Sequence, residues 1–138
     1  MARVLIVEDE PTDRVILANI VEWTGHEVHF AYGGKEALRI YLRGGIDVVV
    51  TDLQMPDGDG LELIKALGAL LPKTVIIAVS GSGHQLLAEA ERKGVFAALS
   101  KPIELTEFVE TLAQAAQDRP GAEASRPPRR DRSSTATG

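Results

Sequence analysis

Residues 48–60 have the sequence VVVTDLQMPDGDG, and this stretch decides the fold. It begins with an apolar, β-branched run, which is typical of a strand buried on both faces of a sheet. The run ends at Asp52, ahead of a proline and two glycines that indicate a loop. Asp52 is therefore predicted where a buried strand meets solvent, a position that favours ligand chemistry. The alternative is that Asp52 only caps the next helix.

Strand-like and helix-like segments alternate five times along the chain. Glycine or proline separates most of them, and the predicted fifth helix extends to about Gln117. The predicted strands are residues 3–7, 26–32, 46–51, 74–79 and 95–99. This alternation predicts an α/β fold, a single doubly wound domain with a five-stranded parallel sheet and helices on both faces.

The first helical segment carries an apolar stripe that we expect to face the core. Its residues are Leu17, Val21, Ile16, Ile20 and Trp23.

Length and composition limit the classes of protein that fit. The chain has 138 residues, 44% of them hydrophobic, and no cysteine. It has no apolar run near the roughly 20 residues of a membrane span, which predicts a soluble, cytoplasmic protein with no membrane insertion. The histidines, His26, His29 and His84, lack ligand spacing and are expected at the surface.

Charge is unevenly distributed along the chain. Residues 1–117 carry ten Lys and Arg against seventeen Asp and Glu, which argues against direct nucleic-acid binding. Residues 118–138 are rich in Pro, Arg and Ser, with no aliphatic side chain larger than Ala. We expect residues 1–117 to form the domain and residues 118–138 to be a disordered tail, with an electrostatic docking tail as the alternative.

Polar residues follow four of the predicted strands: Glu8 and Asp9, Asp52, Ser80 and Lys101. In a parallel sheet the carboxyl ends of all strands lie at one edge, so these side chains are expected to converge. Three clustered carboxylates favour a bound cation, and oxygen ligands select Mg²⁺. Together with a lysine and a hydroxyl, such a site suits phosphoryl transfer, with Asp52 as the best candidate nucleophile.

These residues, in this order and spacing, resemble the receiver domain of two-component response regulators, including the stand-alone chemotaxis receivers. The motifs are Glu8-Asp9, the DLQMPDGDG segment from Asp52, Ser80-Gly81 and Lys101-Pro102. The resemblance covers residues 2 to about 117. It implies a flavodoxin-like sheet of strand order 2-1-3-4-5.

The resemblance also implies a metal site. Asp9, Asp52 and the backbone carbonyl of Gln54 would bind Mg²⁺ directly, and Glu8 would act through water.

For the transfer itself, the resemblance implies that Asp52 accepts a phosphoryl group from the phosphohistidine of a histidine kinase or phosphotransfer protein. Lys101 would pair with a phosphoryl oxygen, ahead of a cis peptide to Pro102. Ser80 would reach toward the phosphoryl group.

One position departs from the family pattern. Ala98 stands where receivers usually carry a switch aromatic, three residues before Lys101. Strand alternation predicts that Phe96 is a core residue facing away from Leu99 and Lys101. The usual relay through an aromatic is therefore in doubt.

Two further acidic residues, Asp13 and Asp57, are expected to be solvated charges near the rim of the site rather than ligands.

The leading hypothesis is a stand-alone phosphoacceptor module, not an enzyme, that signals by binding a downstream effector when phosphorylated. Self-association into a homodimer stays open. One alternative is a degenerate receiver that only binds partners. Another is an aspartate-nucleophile phosphatase, which is disfavoured because Gln54 leaves no general acid two residues after Asp52.

Overall fold

The chain forms a five-stranded parallel sheet with helices on both faces. A computed structural model describes residues 1–55, 60–70, 74–81 and 84–119. The strands are β1 (Arg3–Val7), β2 (Glu27–Ala31), β3 (Val48–Asp52), β4 (Val75–Ser80) and β5 (Ala97–Ser100), and the helices are α1 (Pro11–Trp23), α2 (Gly34–Leu42), α3 (Gly60–Gly68), α4 (His84–Arg92) and α5 (Leu105–Asp118).

The strand order is β2-β1-β3-β4-β5, and every neighbouring pair is parallel. The α/β class, the doubly wound architecture and the 2-1-3-4-5 order are confirmed. Asp57 and most of the predicted tail lie outside the described residues. Within the described ranges, no helix combines the length and apolar character needed to cross a bilayer.

Two hydrophobic cores lie on opposite faces of the sheet. Val48 and Val50 of β3 face α1 and α5, whereas Val49 faces α2, α3 and α4. Side chains of successive strand residues point to opposite faces, so a strand covered on both faces must be apolar throughout. This explains why β3 begins with three valines. Every residue of β3 is buried.

The predicted stripe on α1 is only partly buried. Leu17 and Val21 are buried and Ile20 packs against the same core, but Ile16 is 47% and Trp23 is 77% exposed. Both are rotated about a third of a turn from Leu17 around the helix axis. The prediction was wrong for these two residues because the buried stripe is narrower than the apolar pattern.

The predicted orientation of Phe96 was also wrong. Phe96 precedes β5, so strand alternation does not apply to it, and its backbone N–H donates to the carbonyl of Ile76 (2.8 Å). Phe96 is partly buried against the same core as Leu99, whereas Ala98 packs on the opposite face of the sheet.

His26 is only partly at the surface, where the sequence predicted it. It is partly buried, and its Nδ1 accepts a hydrogen bond from the backbone N–H of Ala2 (2.9 Å). Burial lowers the pKa of His26, and the positive charges of the chain N-terminus and Arg119 lower it further, against an opposing effect of Asp47. The other two histidines differ: His29 is half-buried and pairs with Glu27, and His84 is exposed.

Gly60 brings the start of α3 against the end of β3. Its N–H donates to the carbonyl oxygen of Leu53 (3.0 Å). A Cβ at this position would overlap the carbonyl oxygen of Asp52 and lie 2.9 Å from the Cα of Leu53. Both neighbours are backbone atoms, so no side-chain rotation can relieve the overlap. Glycine at position 60 is therefore required for the start of α3 to approach the end of β3 this closely.

We expect Gly60→Ala to lower the free energy of unfolding by about 1–3 kcal/mol, because the added methyl group forces backbone atoms apart. The matched control is Gly68→Ala at the other end of α3, where a Cβ meets no atom within 4 Å. Because alanine favours helix, this control should raise stability by up to about 1 kcal/mol. Urea denaturation of both variants measures the difference, and equal effects would contradict the close approach.

The lowered pKa of His26 predicts a pH dependence of stability. Since the unfolded chain binds a proton on this histidine at higher pH than the folded one does, stability should fall as the pH drops through about 6.5. His26→Gln keeps an acceptor for the N–H of Ala2 but cannot be protonated. The variant should lose less stability than wild type between about pH 7.5 and about pH 5.5, measured by urea denaturation. The control is His84→Gln, which changes an exposed histidine, and identical profiles for wild type and His26→Gln would refute this prediction.

Candidate functional site

The carboxyl ends of four strands bring the predicted residues together. Glu8 directly follows β1, Asp52 and Ser80 end β3 and β4, and Lys101 directly follows β5. The register aligns these ends, since Val7 is opposite Thr51, Asp52 opposite Val79 and Ser80 opposite Ser100. The structure brings these side chains together at one edge of the sheet, as predicted.

Glu8, Asp9 and Asp52 form an acidic cluster at this edge. Each offers one carboxylate oxygen, and these oxygens lie within 4.8 Å of one another. The side chain of Glu8 is fully buried, that of Asp52 is 10% exposed, and Asp9 is exposed. Burial raises the pKa of Glu8 to about 7, and the neighbouring charge of Asp52 adds to this effect. The cluster therefore places three carboxyl groups close together, and those of Glu8 and Asp52 are largely shielded from water.

Lys101 supplies the positive charge of the site. Its Nζ donates to Glu8 Oε1 (3.0 Å), Asp13 Oδ2 (2.8 Å) and Asp52 Oδ2 (2.9 Å). Burial lowers the pKa of Lys101, but these hydrogen bonds to carboxylates outweigh it, and the net pKa lies above its ordinary value. The lysine is therefore protonated and bound to three carboxylates from separate parts of the chain.

The carboxylate of Asp52 is held by both of its oxygens. Oδ2 accepts from Lys101, and Oδ1 accepts from the backbone N–H of Gln54 (3.0 Å). The first N–H of α3, that of Gly60, donates to Leu53 instead of to Asp52. Among the described residues, the side chain of Asp52 therefore does not cap α3. It faces the acidic cluster instead.

Ser80 and its neighbours form the side of the site next to β5. Ser80 is fully buried, and its carbonyl oxygen accepts the backbone N–H of Lys101 (2.9 Å). A Cβ at Gly81 would lie 3.7 Å from the Cβ of Lys101, so the glycine lies against the lysine stem. The peptide between Lys101 and Pro102 is cis.

Two residues near the site were missed by sequence reasoning. Asp13 was predicted to be a solvated charge, but it makes the shortest of the three hydrogen bonds of Lys101. Arg14 donates to the carbonyl oxygen of Glu8 (3.1 Å), and its guanidinium lies 4.4 Å from the ring centroid of Tyr32. The available signal for Asp13 was its place in the first turn of the helix that follows the acidic loop.

The donor set fits a divalent cation. Among the described residues, the carboxylates at this edge are those of Glu8, Asp9, Asp13 and Asp52, and the ammonium beside them is that of Lys101. Hard oxygen ligands of this kind suit Mg²⁺, and a divalent charge would offset the repulsion among these carboxylates. Glu8, Asp9 and Asp52 are the residues placed to hold it.

Comparison with known proteins agrees with this geometry. Residues 4–113 match the family model described as "Response regulator receiver domain". The chain is 35% identical over 112 residues to chemotaxis protein CheY of Thermotoga maritima, covering 80% of this chain and 93% of that protein. It is 34% identical over 117 residues to sensor histidine kinase RcsC of Salmonella typhi, covering 80% of this chain but spanning only 12% of that protein.

A solved structure agrees as well. The beryllofluoride-activated NtrC4 receiver domain dimer matches with a TM-score of 0.79 at 32% identity, covering 86% of this chain and 98% of that one. The family match spans most of the chain. It includes the residues of the acidic cluster and Lys101 at the edge of the sheet. The chain therefore belongs to the response regulator receiver domain family.

Proposed function

We propose that Asp52 accepts a phosphoryl group and that this modification is the signal the domain transmits. The observation that carries the proposal is the 2.9 Å hydrogen bond between Lys101 Nζ and Asp52 Oδ2 beside Glu8 and Asp9. A nucleophilic carboxylate, an ammonium and further oxygen ligands are the groups that phosphoryl transfer needs.

In the proposed transfer, a carboxylate oxygen of Asp52 attacks the phosphorus of a phosphohistidine on a partner protein. The new P–O bond forms as the P–N bond breaks, and the electron pair stays on the imidazole nitrogen, which takes up a proton. Lys101 donates to an oxygen of the transferring group, whose charge needs stabilising. Ser80, at the end of β4, is proposed to reach toward the same group.

Hydrolysis returns the site to its starting state. Water attacks the phosphorus, the bond to the Asp52 oxygen breaks, and inorganic phosphate leaves with the carboxylate restored. Gln54 stands two residues after Asp52, where it supplies no general acid. This favours a signalling domain over a phosphatase acting on added substrates.

Mg²⁺ is the proposed cofactor of the reaction. Asp9, Asp52 and the backbone carbonyl of Gln54 would bind it directly, and Glu8 would act through water. When bound, the cation would neutralise negative charge on the phosphoryl oxygens.

The proposed phosphodonor is a histidine kinase or phosphotransfer protein. One relative is itself a sensor histidine kinase. A cytoplasmic location is part of the proposal, because the ATP that such kinases use is there. The proposed output is an effector protein that binds the phosphorylated surface, without direct nucleic-acid contact. Self-association is a second form that the output can take, since the solved NtrC4 receiver is a dimer in its activated form.

Phosphorylation is tested by incubating the protein with acetyl phosphate and Mg²⁺ and measuring its intact mass. We expect wild type to gain about 80 Da, the mass of one phosphoryl group, and Asp52→Asn to gain nothing. The control Asp118→Asn changes an exposed aspartate at the end of α5 and should be modified like wild type. An unmodified wild type that still binds partners would favour the binding-only alternative, and repeated turnover on phosphate esters would favour a phosphatase.

Metal binding is tested by isothermal titration with Mg²⁺. Asp9→Asn removes one charged ligand and should weaken binding by about tenfold or more, because loss of outer partners alone has effects of that size. Glu22→Gln, which removes an exposed carboxylate from the far end of α1, should bind Mg²⁺ like wild type. Equal affinities for Asp9→Asn and wild type would remove Asp9 from the proposed ligands.

A further inference from the structure

The hydrogen bonds of Lys101 are fully used in the unphosphorylated site. An ammonium group has three N–H donors, and Nζ donates to Glu8, Asp13 and Asp52 at distances between 2.8 and 3.0 Å. A phosphoryl group on Asp52 that takes a donor from Lys101 must therefore displace one of these bonds.

The three carboxylates differ in how readily they can lose the lysine. The Glu8 side chain is fully buried, so it would lose its counter-charge with little water to replace it. Phosphorylation through Oδ1 of Asp52 leaves Oδ2, on a side chain that is 10% exposed, as a carbonyl oxygen that still accepts a hydrogen bond from Lys101. The Asp13 side chain is 38% exposed and can be hydrated when the bond breaks. Asp13 is therefore the partner that Lys101 can release most easily.

Asp13 is also held in place independently of the lysine. It lies in the first turn of α1, and the carboxylate of Glu10 accepts the backbone N–H groups of Thr12 and Asp13 at 2.9 and 3.1 Å. The ion pair with Lys101 thus joins a fixed helix start to the residue that follows β5. When the bond breaks, a tie between these two parts of the fold is lost.

We infer that Asp13 is a positioning residue that competes with the phosphoryl group on Asp52 for the ammonium of Lys101. This inference rests on the proposed phosphoacceptor function. In the unphosphorylated protein Asp13 holds Lys101 toward α1, and phosphorylation exchanges Asp13 for a phosphoryl oxygen. Through this exchange, phosphorylation of Asp52 changes the contact between α1 and the end of β5. It does not need an aromatic at position 98, where this chain has Ala98.

The test measures binding of beryllofluoride, a phosphoryl mimic, to the full chain at saturating Mg²⁺ by NMR titration. Asp13→Asn and Asp13→Ala should both bind the mimic more tightly, by about two- to fivefold, as expected from loss of one partly exposed ion pair. Asp13→Glu keeps the carboxylate and should bind the mimic close to the wild-type affinity. Glu22→Gln removes the same charge from α1 away from the site and should also match wild type. A merely structural role for Asp13 would not strengthen binding.

A double-mutant cycle with Lys101→Met separates competition for the lysine from a general charge effect. With methionine at 101, Asp13→Asn should no longer strengthen binding of the mimic. A gain that persists in this background, or no gain in the single variants while wild type binds the mimic, would overturn the role of Asp13 and leave the phosphoacceptor function standing. A wild type that neither binds the mimic nor gains mass with acetyl phosphate would overturn both.

Discussion

The ammonium of Lys101, bound to three carboxylates at one edge of the sheet, is the interaction on which the rest of the site depends. Glu8 is fully buried and Asp52 nearly so, and two ionised carboxylates in such surroundings repel each other strongly. The lysine offsets this repulsion and lies within hydrogen-bonding distance of both. Its raised pKa follows from that role.

The sheet makes this arrangement possible because its strands are parallel and in register. The site residues are far apart in sequence, with 93 positions between Glu8 and Lys101. Cores on both faces fix the strands that carry them. Gly60 adds a local constraint, since only glycine lets the start of α3 approach the backbone of Asp52 this closely.

Most of the fold and the core of the site could be predicted from the sequence. Apolar runs and their glycine and proline boundaries located the strands and helices, and the parallel-sheet rule placed Glu8, Asp52 and Lys101 at one edge. The strand order came from the family resemblance. Periodicity alone does not fix which pairs of strands are neighbours.

The features that could not be predicted depend on the rotation of a helix about its axis or on the exact residue at which a strand begins. Phe96 was assigned to the wrong face because β5 begins one residue after it. Trp23 looked like a core residue because the apolar pattern of α1 is wider than its buried stripe. The contact between Asp13 and Lys101, 88 positions apart, depends on the rotation of α1 about its own axis, which the apolar stripe predicts only approximately.

The three carboxylates bound to Lys101 differ in exposure. This difference lets the site respond to an added charge while its other hydrogen bonds are kept. A phosphoryl group adds negative charge to an edge where the part of the chain that the structure describes already places several carboxylates around Lys101. Glu8 is too poorly hydrated to lose Lys101, so the response falls on Asp13, the most exposed of the three partners. Because that partner belongs to α1 while Lys101 follows β5, an exchange of one hydrogen bond changes the link between two elements that form the protein surface. In this proposal Lys101 exchanges one hydrogen-bond partner when the site is phosphorylated. The difference in exposure among its partners decides which one is exchanged.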